Sequence, residues 1–346
     1  MSSEWHQVSL KEVTSVLGDG LHGTPAYDPN GDHFFINGNN LNNGKIAFNA
    51  NTKRVSAIEA AKHKKNLTDR TILVSINGTL GNVAFYAGEK VVLGKSACYF
   101  NVKAGVDKQF IRYVIDSEIF QGYIQNLATG STIKNVSLKL MRDFQFSLPP
   151  IDLQQRISAT LSCLDDRITL LRETNTTLEA IAQALFKSWF VDFDPVRAKM
   201  EGRAPVDMDE TTAALFPDGF EESELGLVPE GWWVGTLADL SDLNPESWTA
   251  KNHPDRVAYI DLANAKDNEV ASVTEFEFSE APSRARRVLR SGDTIVGTVR
   301  PGNRSFAFIH EPASNLTAST GFAVLRPSAL ENTEFVYLAA TQAYSI

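Results

Sequence analysis

The most regular hydrophobic pattern lies in the middle of the chain. From Ile157 onward, apolar residues recur at alternating spacings of four and three, which is the heptad pattern of a helix that pairs with another helix. No proline or glycine occurs between residues 151 and 190, so we predict one unbroken helix of about 40 residues, about 60 Å long. The predicted seam consists of Ile157, Leu161, Leu164, Ile168, Leu171, Asn175, Leu178, Ala182, Leu185 and Trp189.

Asn175 is the polar residue of this seam. A buried asparagine at such a position lowers stability but fixes the register and the number of paired helices. The alternative is that Asn175 faces solvent and has no such role.

Residues 1–150 show the short-period pattern of a mixed α/β domain. Alternating apolar and β-branched residues, separated by glycine-rich turns, predict strands near 34–36, 71–76, 82–86 and 96–102. Helical spacing predicts helices at 55–65 and 107–118. Pro149 and Pro150 end the domain, and Asp152 can cap the long helix.

The chain after the long helix begins with a segment rich in proline and acidic residues. Residues 193–230 predict a linker with a short ordered stretch at Leu215-Phe216-Pro217. We therefore predict four segments: a domain at 1–150, the helix at 151–192, the linker at 193–230 and a second domain at 231–346.

An internal repeat relates the two predicted domains. The matches keep one order at a nearly constant offset of 223 to 227 residues, which is hard to obtain by chance. They are Trp5, Leu10 and Val13 with Trp232, Leu237 and Leu240; Phe35-Ile36-Asn37 with Tyr259-Ile260-Asp261; Thr71–Ile76 with Thr294–Val299; Ser96-Ala97 with Thr320-Gly321; and Phe110-Ile111 with Phe335-Val336. The alternative is that short β-strands resemble one another without any repeat.

The second copy is shorter than the first. The offset places Ile346 opposite about Gln121, so nothing in the sequence corresponds to residues 122–190. We expect the second domain to be incomplete and its sheet to be loosely held.

Composition is that of an ordinary globular protein, with 43% hydrophobic and 22% charged residues among 346. The only two cysteines, Cys98 and Cys163, are far apart, which excludes a disulfide framework and a thiolate zinc site and favours the reducing cytoplasm. No apolar run of about 18 residues is present, so we expect no membrane span.

The net charge of −9 conceals an asymmetry between the two parts of the chain. Residues 1–150 carry a net charge of +4 and the remaining residues −13. The acidic total disfavours nucleic-acid binding, whereas the basic first domain is compatible with it.

The sequence contains no recognisable catalytic or metal-binding motif. Leu93-Gly94-Lys95-Ser96 resembles the end of a phosphate-binding loop, but the position that requires glycine holds Glu89. The six histidines form no His-x-x-x-His pair, and no dinucleotide-binding glycine pattern follows a strand. We expect no catalytic residue and no metal site in this chain.

A DNA-binding surface has more support in the first domain. Its basic clusters suit phosphate contacts, and its loops are rich in the Asn, Ser and Thr that contact base edges. We predict that the DNA-facing residues are Asn39, Asn40, Lys45, Lys53, Arg54, Lys64, Lys65, Asn77 and Thr79. The alternative is an ordinary solvated lysine face with plain Asn/Gly turns.

Two similar globules on one long helix would suit a split DNA target. A spacer of about 60 Å corresponds to about 17 base pairs, so half-sites one to two helical turns apart would be within reach.

Several motifs together resemble the specificity subunits of type I restriction-modification enzymes. The strongest is Ala128–Asn135 (Ala-Thr-Gly-Ser-Thr-Ile-Lys-Asn), followed by Leu148–Ile157 (Leu-Pro-Pro-Ile-Asp-Leu-Gln-Gln-Arg-Ile) and the heptad helix. Further similar stretches are Asp19–Pro25, Trp189–Arg197, Leu215–Pro217, Glu222–Gly226 and Pro229–Trp232.

The resemblance implies two α/β target-recognition domains and a coiled-coil spacer in a cytoplasmic complex. Members of this family are non-catalytic, and each domain recognises half of a split double-stranded DNA sequence. Modification subunits methylate adenine with S-adenosylmethionine, and restriction subunits cut DNA with ATP and Mg. We therefore expect these cofactors only in the partner subunits and none in this chain.

The sequence departs from the family pattern after the second domain. That domain normally closes with its own Leu-Pro-Pro stretch and a second long helix, antiparallel to the first, and neither is present here. We expect a truncated product whose 151–190 helix pairs with a second copy or a modification subunit. The alternatives are a remnant that only sequesters modification subunits and an unrecognised enzyme.

Overall fold

A computed structural model describes residues 5–342, except for residues 43, 131–133 and 225. The chain forms two compact units, unit 1 (Met1–Leu171) and unit 2 (Arg172–Ile346), which divide inside the long helix. The segments 1–150, 151–192, 193–230 and 231–346 stay a prediction, because this division groups each half of the helix with the unit that it packs against.

Unit 1 is a mixed α/β domain, and the predicted strands and helices are present to within a few residues. Its strands are β1 (His6–Ser9), β2 (Thr14–Asp19), β3 (His33–Ile36), β4 (Leu41–Asn42), β5 (Lys45–Ile46), β6 (Arg54–Val55), β7 (Thr71–Ser75), β8 (Val83–Phe85), β9 (Val91–Leu93), β10 (Ala97–Val102) and β11 (Gln145–Leu148). Its helices are α1 (Leu10–Val13), α2 (Ala57–Lys62), α3 (Lys108–Asp116), α4 (Glu118–Leu127) and α5 (Leu138–Asp143), followed by α6 (Ile151–Phe190), which continues into unit 2; Gly38–Asn40 is a 3₁₀ turn.

Two sheets contain most of the strands of unit 1. The strand order β2-β10-β7-β8 forms an antiparallel sheet, and in the second sheet β3 pairs antiparallel with β6 and parallel with β9. Alternation along β7 sends Leu73 into the cluster shared with the second sheet, and Ile72 and Val74 into the core under the helices. That larger core includes Phe100, Phe110, Phe120, Met141 and Phe144.

Unit 2 contains the second copy of this domain. Its helices after α6 are α7 (Asp194–Met200), α8 (Glu210–Ala213), α9 (Leu237–Leu240) and α10 (Thr333–Thr341), with 3₁₀ turns at Leu262–Asn264, Pro301–Asn303 and Leu330–Asn332. Its strands are β12 (Phe220–Ser223), β13 (Gly226–Pro229), β14 (Ser241–Leu243), β15 (Arg256–Ile260), β16 (Ala265–Lys266), β17 (Glu269–Val270), β18 (Thr274–Glu277), β19 (Ala285–Val288), β20 (Thr294–Gly297), β21 (Phe306–Phe308), β22 (Leu316–Ser319) and β23 (Phe322–Pro327).

The internal repeat is confirmed by the strand order. The sheet β14-β23-β20-β21 has the order of β2-β10-β7-β8, and β15 pairs antiparallel with β18 and parallel with β22, as β3 does with β6 and β9. The short helices α1 and α9 also begin alike, since Ser9 with Glu12 and Thr236 with Asp239 each form a capping box.

Polar contacts attach the first part of α6 to unit 1. The Ser158 hydroxyl donates to Asp107 at 2.6 Å, and the Asp107 backbone N–H donates to the Gln154 side chain at 2.9 Å. Farther along, Asp165 accepts hydrogen bonds from Arg112 at 2.7 Å and from the Tyr113 hydroxyl. Because Gln154 and Ser158 are buried, these bonds are less exposed to competition from water than surface contacts.

Aromatic packing surrounds the last turns of α6 within unit 2. Phe216 lies 5.8 Å from Trp189, 6.3 Å from Phe190 and 5.9 Å from Trp232, measured between ring centroids. Phe193, at a positive φ of 58°, turns the chain into α7 and packs against Trp232. The segment predicted as a linker is therefore ordered over more than Leu215–Pro217, because its aromatic residues pack at the end of the helix.

The heptad seam is packed at its two ends and exposed between them. Ile157 packs against the core of unit 1, and Trp189 joins the aromatic residues of unit 2. Five of the large apolar side chains between them are 41% to 58% exposed, namely Leu164, Ile168, Leu171, Leu178 and Leu185, whereas Leu161 is half-buried. Asn175 is also exposed, so a buried role for it requires a second helix.

We predict that Asp107→Ala lowers the free energy of unfolding by about 2 kcal/mol. The substitution removes the cap that Asp107 gives the Phe110 backbone N–H at 2.7 Å, and it leaves the buried Ser158 hydroxyl without its acceptor. Urea denaturation followed by circular dichroism measures the change. Asp69→Ala removes an exposed carboxylate nearby and serves as the control; an equal loss in both variants would contradict the assignment.

Candidate nucleic-acid interface

Part of the predicted DNA-facing set lies on or next to β6, one of the two terminal strands of the second sheet of unit 1. Arg54 stands opposite Phe34 in the antiparallel register of β6 and β3, and Lys53 comes just before it. The Arg54 guanidinium lies 4.6 Å from the centre of the Phe34 ring, and Phe48 stacks against Phe34 at 4.3 Å. This cation–π contact holds an exposed guanidinium in a defined position.

Lys64 and Lys65 follow α2 and line a shallow cleft of about 310 Å³ with Lys90, His33 and Tyr86. Ser56 begins α2 by accepting from the Glu59 backbone N–H. The helix ends at Lys62, so the two following lysines lie at the surface of the cleft.

Ion pairing distinguishes the predicted cations from their neighbours. Lys62 donates to Glu59 at 2.8 Å, and this bond, with others from the Ala26 backbone and from His63, lowers the pKa of Glu59 to about 2. Lys90 is likewise paired with Asp32. In the described part of the chain, no carboxylate lies within ion-pairing distance of the five predicted cations Lys45, Lys53, Arg54, Lys64 and Lys65.

In unit 2, many of the arginines form ion pairs with carboxylates. Arg290 and Arg326 both donate to Glu246, and the bond from Arg290 is the main cause of the lowered pKa of Glu246. Arg326 also pairs with the fully buried Asp293. Further pairs are Arg256–Glu277, Arg284–Asp261 and Arg304–Asp267. Much of the positive charge of unit 2 is thus compensated internally.

Asn40 has a structural role that corrects the prediction that it faces DNA. It is 7% exposed, its side-chain amide donates to the Ala47 carbonyl at 3.0 Å, and its side-chain oxygen accepts from the Asn37 backbone N–H at 3.0 Å. These bonds close the loop after β3. The neighbouring Asn39 is exposed on the same turn, and Lys45 is exposed on β5.

Asn77 and Thr79 follow β7 and are distant in sequence from β6. Asn77 lines a cleft of about 440 Å³ with Asp19, His22, Lys95 and Asn135. The Asn77 amide donates to the Asn135 side chain at 3.3 Å. Three residues of the Ala128–Asn135 motif, Ser131, Thr132 and Ile133, lie outside the described residues, as does Leu225.

The predicted residues therefore fall into two groups. Lys53, Arg54, Lys64 and Lys65 surround β6 and α2, whereas Asn77 and Thr79 lie at the end of β7. The turn that carries Asn39 approaches β7, since a Cβ on Gly38 would lie 2.0 Å from the Ser75 hydroxyl oxygen. The sequence pattern did not indicate Phe34 and Phe48, whose contact with Arg54 depends on strand register and has no local signal.

Comparison with protein families identifies the chain. Residues 2–180 match the family described as the type I restriction modification DNA specificity domain. The chain belongs to this family. The resemblance predicted from the motifs is thereby confirmed, and the match includes both groups of candidate residues.

Two curated relatives are type I specificity subunits. The MjaIX specificity subunit of Methanocaldococcus jannaschii is 26% identical over 265 residues, which cover 75% of this chain and 56% of the relative. The HindI specificity subunit of Haemophilus influenzae is 33% identical over 158 residues, covering 44% and 30% respectively. The chain thus spans about half or less of the length of these relatives.

Solved structures that match include the S subunit of a type I system from M. genitalium, with 15% identity and a TM-score of 0.44 over 99% of this chain and 79% of that chain. The HsdS subunit of Thermoanaerobacter tengcongensis matches at 17% identity and a TM-score of 0.38, over 99% of this chain and 81% of that chain.

Two other kinds of feature are absent from the described residues. Among them, no group of three or more His, Cys, Asp or Glu side chains is arranged to hold a metal ion. In the same part of the chain, no helix combines the length and apolar character needed to cross a membrane.

We predict that Asn40→Ala lowers the free energy of unfolding by about 2 kcal/mol, because it leaves the Asn37 N–H and the Ala47 carbonyl without their partners. Asn39→Ala, one residue earlier and exposed, should change it by less than about 0.5 kcal/mol. Thermal unfolding of the two variants tests this assignment. If Asn40→Ala were as stable as the unsubstituted protein, the structural role of Asn40 would be refuted and its assignment to the DNA-facing surface would stand.

Proposed function

We propose that this chain is the non-catalytic DNA-recognition subunit of a type I restriction-modification complex, and that unit 1 recognises half of a bipartite target in double-stranded DNA. The observation that carries the proposal is a group of cations with no carboxylate partner among the described residues, the exposed Lys53, Arg54 and Lys64 and the half-buried Lys65, within the region that matches the specificity family.

The two groups of residues suit different parts of DNA recognition. The cations around β6 and α2 suit phosphate contacts, which position the protein and supply salt-dependent affinity. Asn39, Asn77 and Thr79 carry the donors and acceptors that distinguish base edges. Arg54 is held by Phe34, so it loses less side-chain entropy on binding than a free arginine would.

Catalysis in this proposal belongs to partners. S-adenosylmethionine would bind to modification subunits, and ATP and Mg to restriction subunits, because the chain shows none of the motifs that these groups require. The exposed heptad seam of α6 supports a docking role for this helix. Its apolar side chains are those that a second helix would cover.

The same seam favours a second candidate function, protein interaction without DNA recognition. A chain that only sequestered modification subunits through α6 would need the seam but not the cations around β6. DNA binding and helix pairing therefore separate the two candidates.

We predict that replacing Lys53, Arg54, Lys64 and Lys65 together with Ala weakens DNA binding and reduces its dependence on salt. The slope of log K against log salt should fall in magnitude by about 0.9 for each phosphate that the variant no longer neutralises. Fluorescence anisotropy with duplex DNA, measured between low and physiological salt, gives both quantities.

The matched control replaces four other exposed cations of unit 1, Lys11, Lys139, Arg156 and Arg167, with Ala. It removes the same charge from positions outside the proposed surface. An unchanged slope in the first variant, or the same change in both variants, would refute the placement of the DNA interface.

We also predict that Leu171→Lys with Leu178→Lys abolishes helix pairing, because it places two charges in the exposed seam. Light scattering of the protein, alone and mixed with its modification subunit, measures the assembled mass. Leu170→Lys with Ile181→Lys, two exposed positions outside the seam, should leave assembly unchanged. An unassembled wild-type protein in both conditions would contradict pairing through α6.

A further inference from the structure

The motif Asp19–Pro25 begins a segment of unit 1, residues 21–28, that lies between the two groups of candidate DNA-facing residues. At the start of this 21–28 segment, the Leu21 backbone N–H donates to the Leu93 carbonyl at 2.7 Å, which attaches the chain to the end of β9. His22 then lines the same cleft as Asn77. The first end of the segment is therefore part of the group at the end of β7.

The other end of the 21–28 segment lies along β6. Tyr27 forms an antiparallel bridge with Val55, and the Asp28 backbone N–H donates to the Arg54 carbonyl at 2.9 Å. The segment thus connects the cleft at the end of β7 with the strand that carries Arg54. A DNA duplex that contacts both groups of candidate residues would lie close to this segment.

The middle of the 21–28 segment presents hydrogen-bond donors at the surface. His22, Gly23 and Thr24 are exposed, and among the described residues neither their backbone N–H groups nor the Thr24 hydroxyl has a hydrogen-bond partner. Tyr27, near the end of the segment, is 46% exposed. Backbone N–H groups and hydroxyls are common donors to DNA phosphate oxygens.

Glu59 on α2 fixes the position of the 21–28 segment. Its buried carboxylate accepts hydrogen bonds from the Ala26 backbone N–H at 3.1 Å and from Lys62 at 2.8 Å, and it lies 3.2 Å from Nε2 of His63. The bond from Ala26 joins the segment to α2, the helix that Lys64 and Lys65 follow.

We propose that residues 22–27 contact the sugar–phosphate backbone of DNA between the two groups of candidate residues, and that Glu59 is the positioning residue that holds them there. This inference rests on the proposed recognition of DNA by unit 1. Glu59 is buried, so it acts through the Ala26 N–H and not by touching DNA. Without that bond, the segment would lose more conformational entropy on binding, and affinity would fall.

Charge and position predict opposite effects of Glu59→Ala on DNA binding. Loss of a carboxylate near DNA reduces repulsion and releases Lys62 from its ion pair, so electrostatics alone predicts tighter binding. Loss of positioning predicts weaker binding, and we expect the Kd to rise about fivefold. Glu59→Gln removes the same charge but keeps an oxygen that can accept from the Ala26 N–H, so it should bind at least as tightly as the unsubstituted protein.

The probe is mixed-sequence duplex DNA at low salt, because contacts to the sugar–phosphate backbone do not require a particular sequence. Fluorescence anisotropy gives the Kd of each variant at a temperature at which circular dichroism shows it to be folded. A role of Glu59 in stability alone would leave these affinities unchanged. Equal weakening by Glu59→Ala and Glu59→Gln would contradict positioning through the Ala26 N–H.

Thr24→Glu tests the DNA contact independently of Glu59. The Thr24 side chain is exposed and makes no hydrogen bond within the described part of the chain, so the fold should be kept. A glutamate at this position would repel phosphates, and we expect the Kd to rise at least about fivefold. Thr160→Glu adds the same charge at an exposed position of α6 in unit 1 and should change the Kd by less than about twofold. Equal effects of the two variants would overturn the contact.

Hydrogen–deuterium exchange of the unsubstituted protein locates the contact directly. The same DNA should slow exchange in the peptide that contains residues 21–28. DNA binding without this protection, or tighter binding by Glu59→Ala, would overturn the inference and leave the proposed function standing. Absence of any DNA binding by the unsubstituted protein would contradict the proposed function and this inference with it.

Discussion

The continuity of α6 is the constraint on which the rest of the structure depends. Its first turns are held by the hydrogen bonds that join Ser158 and Gln154 to Asp107, and its last turns by aromatic contacts of Trp189 and Phe190. Helices in water gain most of their stability from packing, so these two ends support a middle section that is exposed. That exposed section is the surface that a second helix would cover.

The two copies of the internal repeat share a strand order but differ in the charged side chains on their surfaces. Among the described residues, unit 1 leaves several cations around β6 without carboxylate partners, whereas unit 2 pairs many of its arginines with carboxylates such as Glu246 and Asp293. The strand in unit 2 that corresponds to β6 is β18, which contains Glu275 and Glu277. A shared fold therefore does not give the two copies a shared role; the side chains on it decide what each copy binds.

Local patterns in the sequence predicted much of this fold. The seam and the absence of proline gave the bounds of α6, and strand patterns gave β3, β7 and β10, because both signals are carried by neighbouring residues. The burial of Asn40 was not predictable, since it depends on a loop that closes through Ala47. Likewise, composition indicated a linker at 193–230, where tertiary contacts of Phe216 produce an ordered segment.

The candidate site was predictable by residue type and only partly by position. Lys53, Arg54, Lys64 and Lys65 were identified from charge, but their lack of ion-pair partners, and the contact of Arg54 with Phe34, depend on the register of β3 and β6. Register is set by contacts between segments distant in sequence, so no local pattern carries it.

Methylome sequencing of a host that expresses this chain with its modification subunit tests the central claim most directly. We expect a methylated adenine within a two-part motif of fixed spacing, present only when the chain is expressed and altered by substitution of Asn77 or Thr79. Methylation that does not change when the chain is omitted would contradict its role as the DNA-recognition subunit.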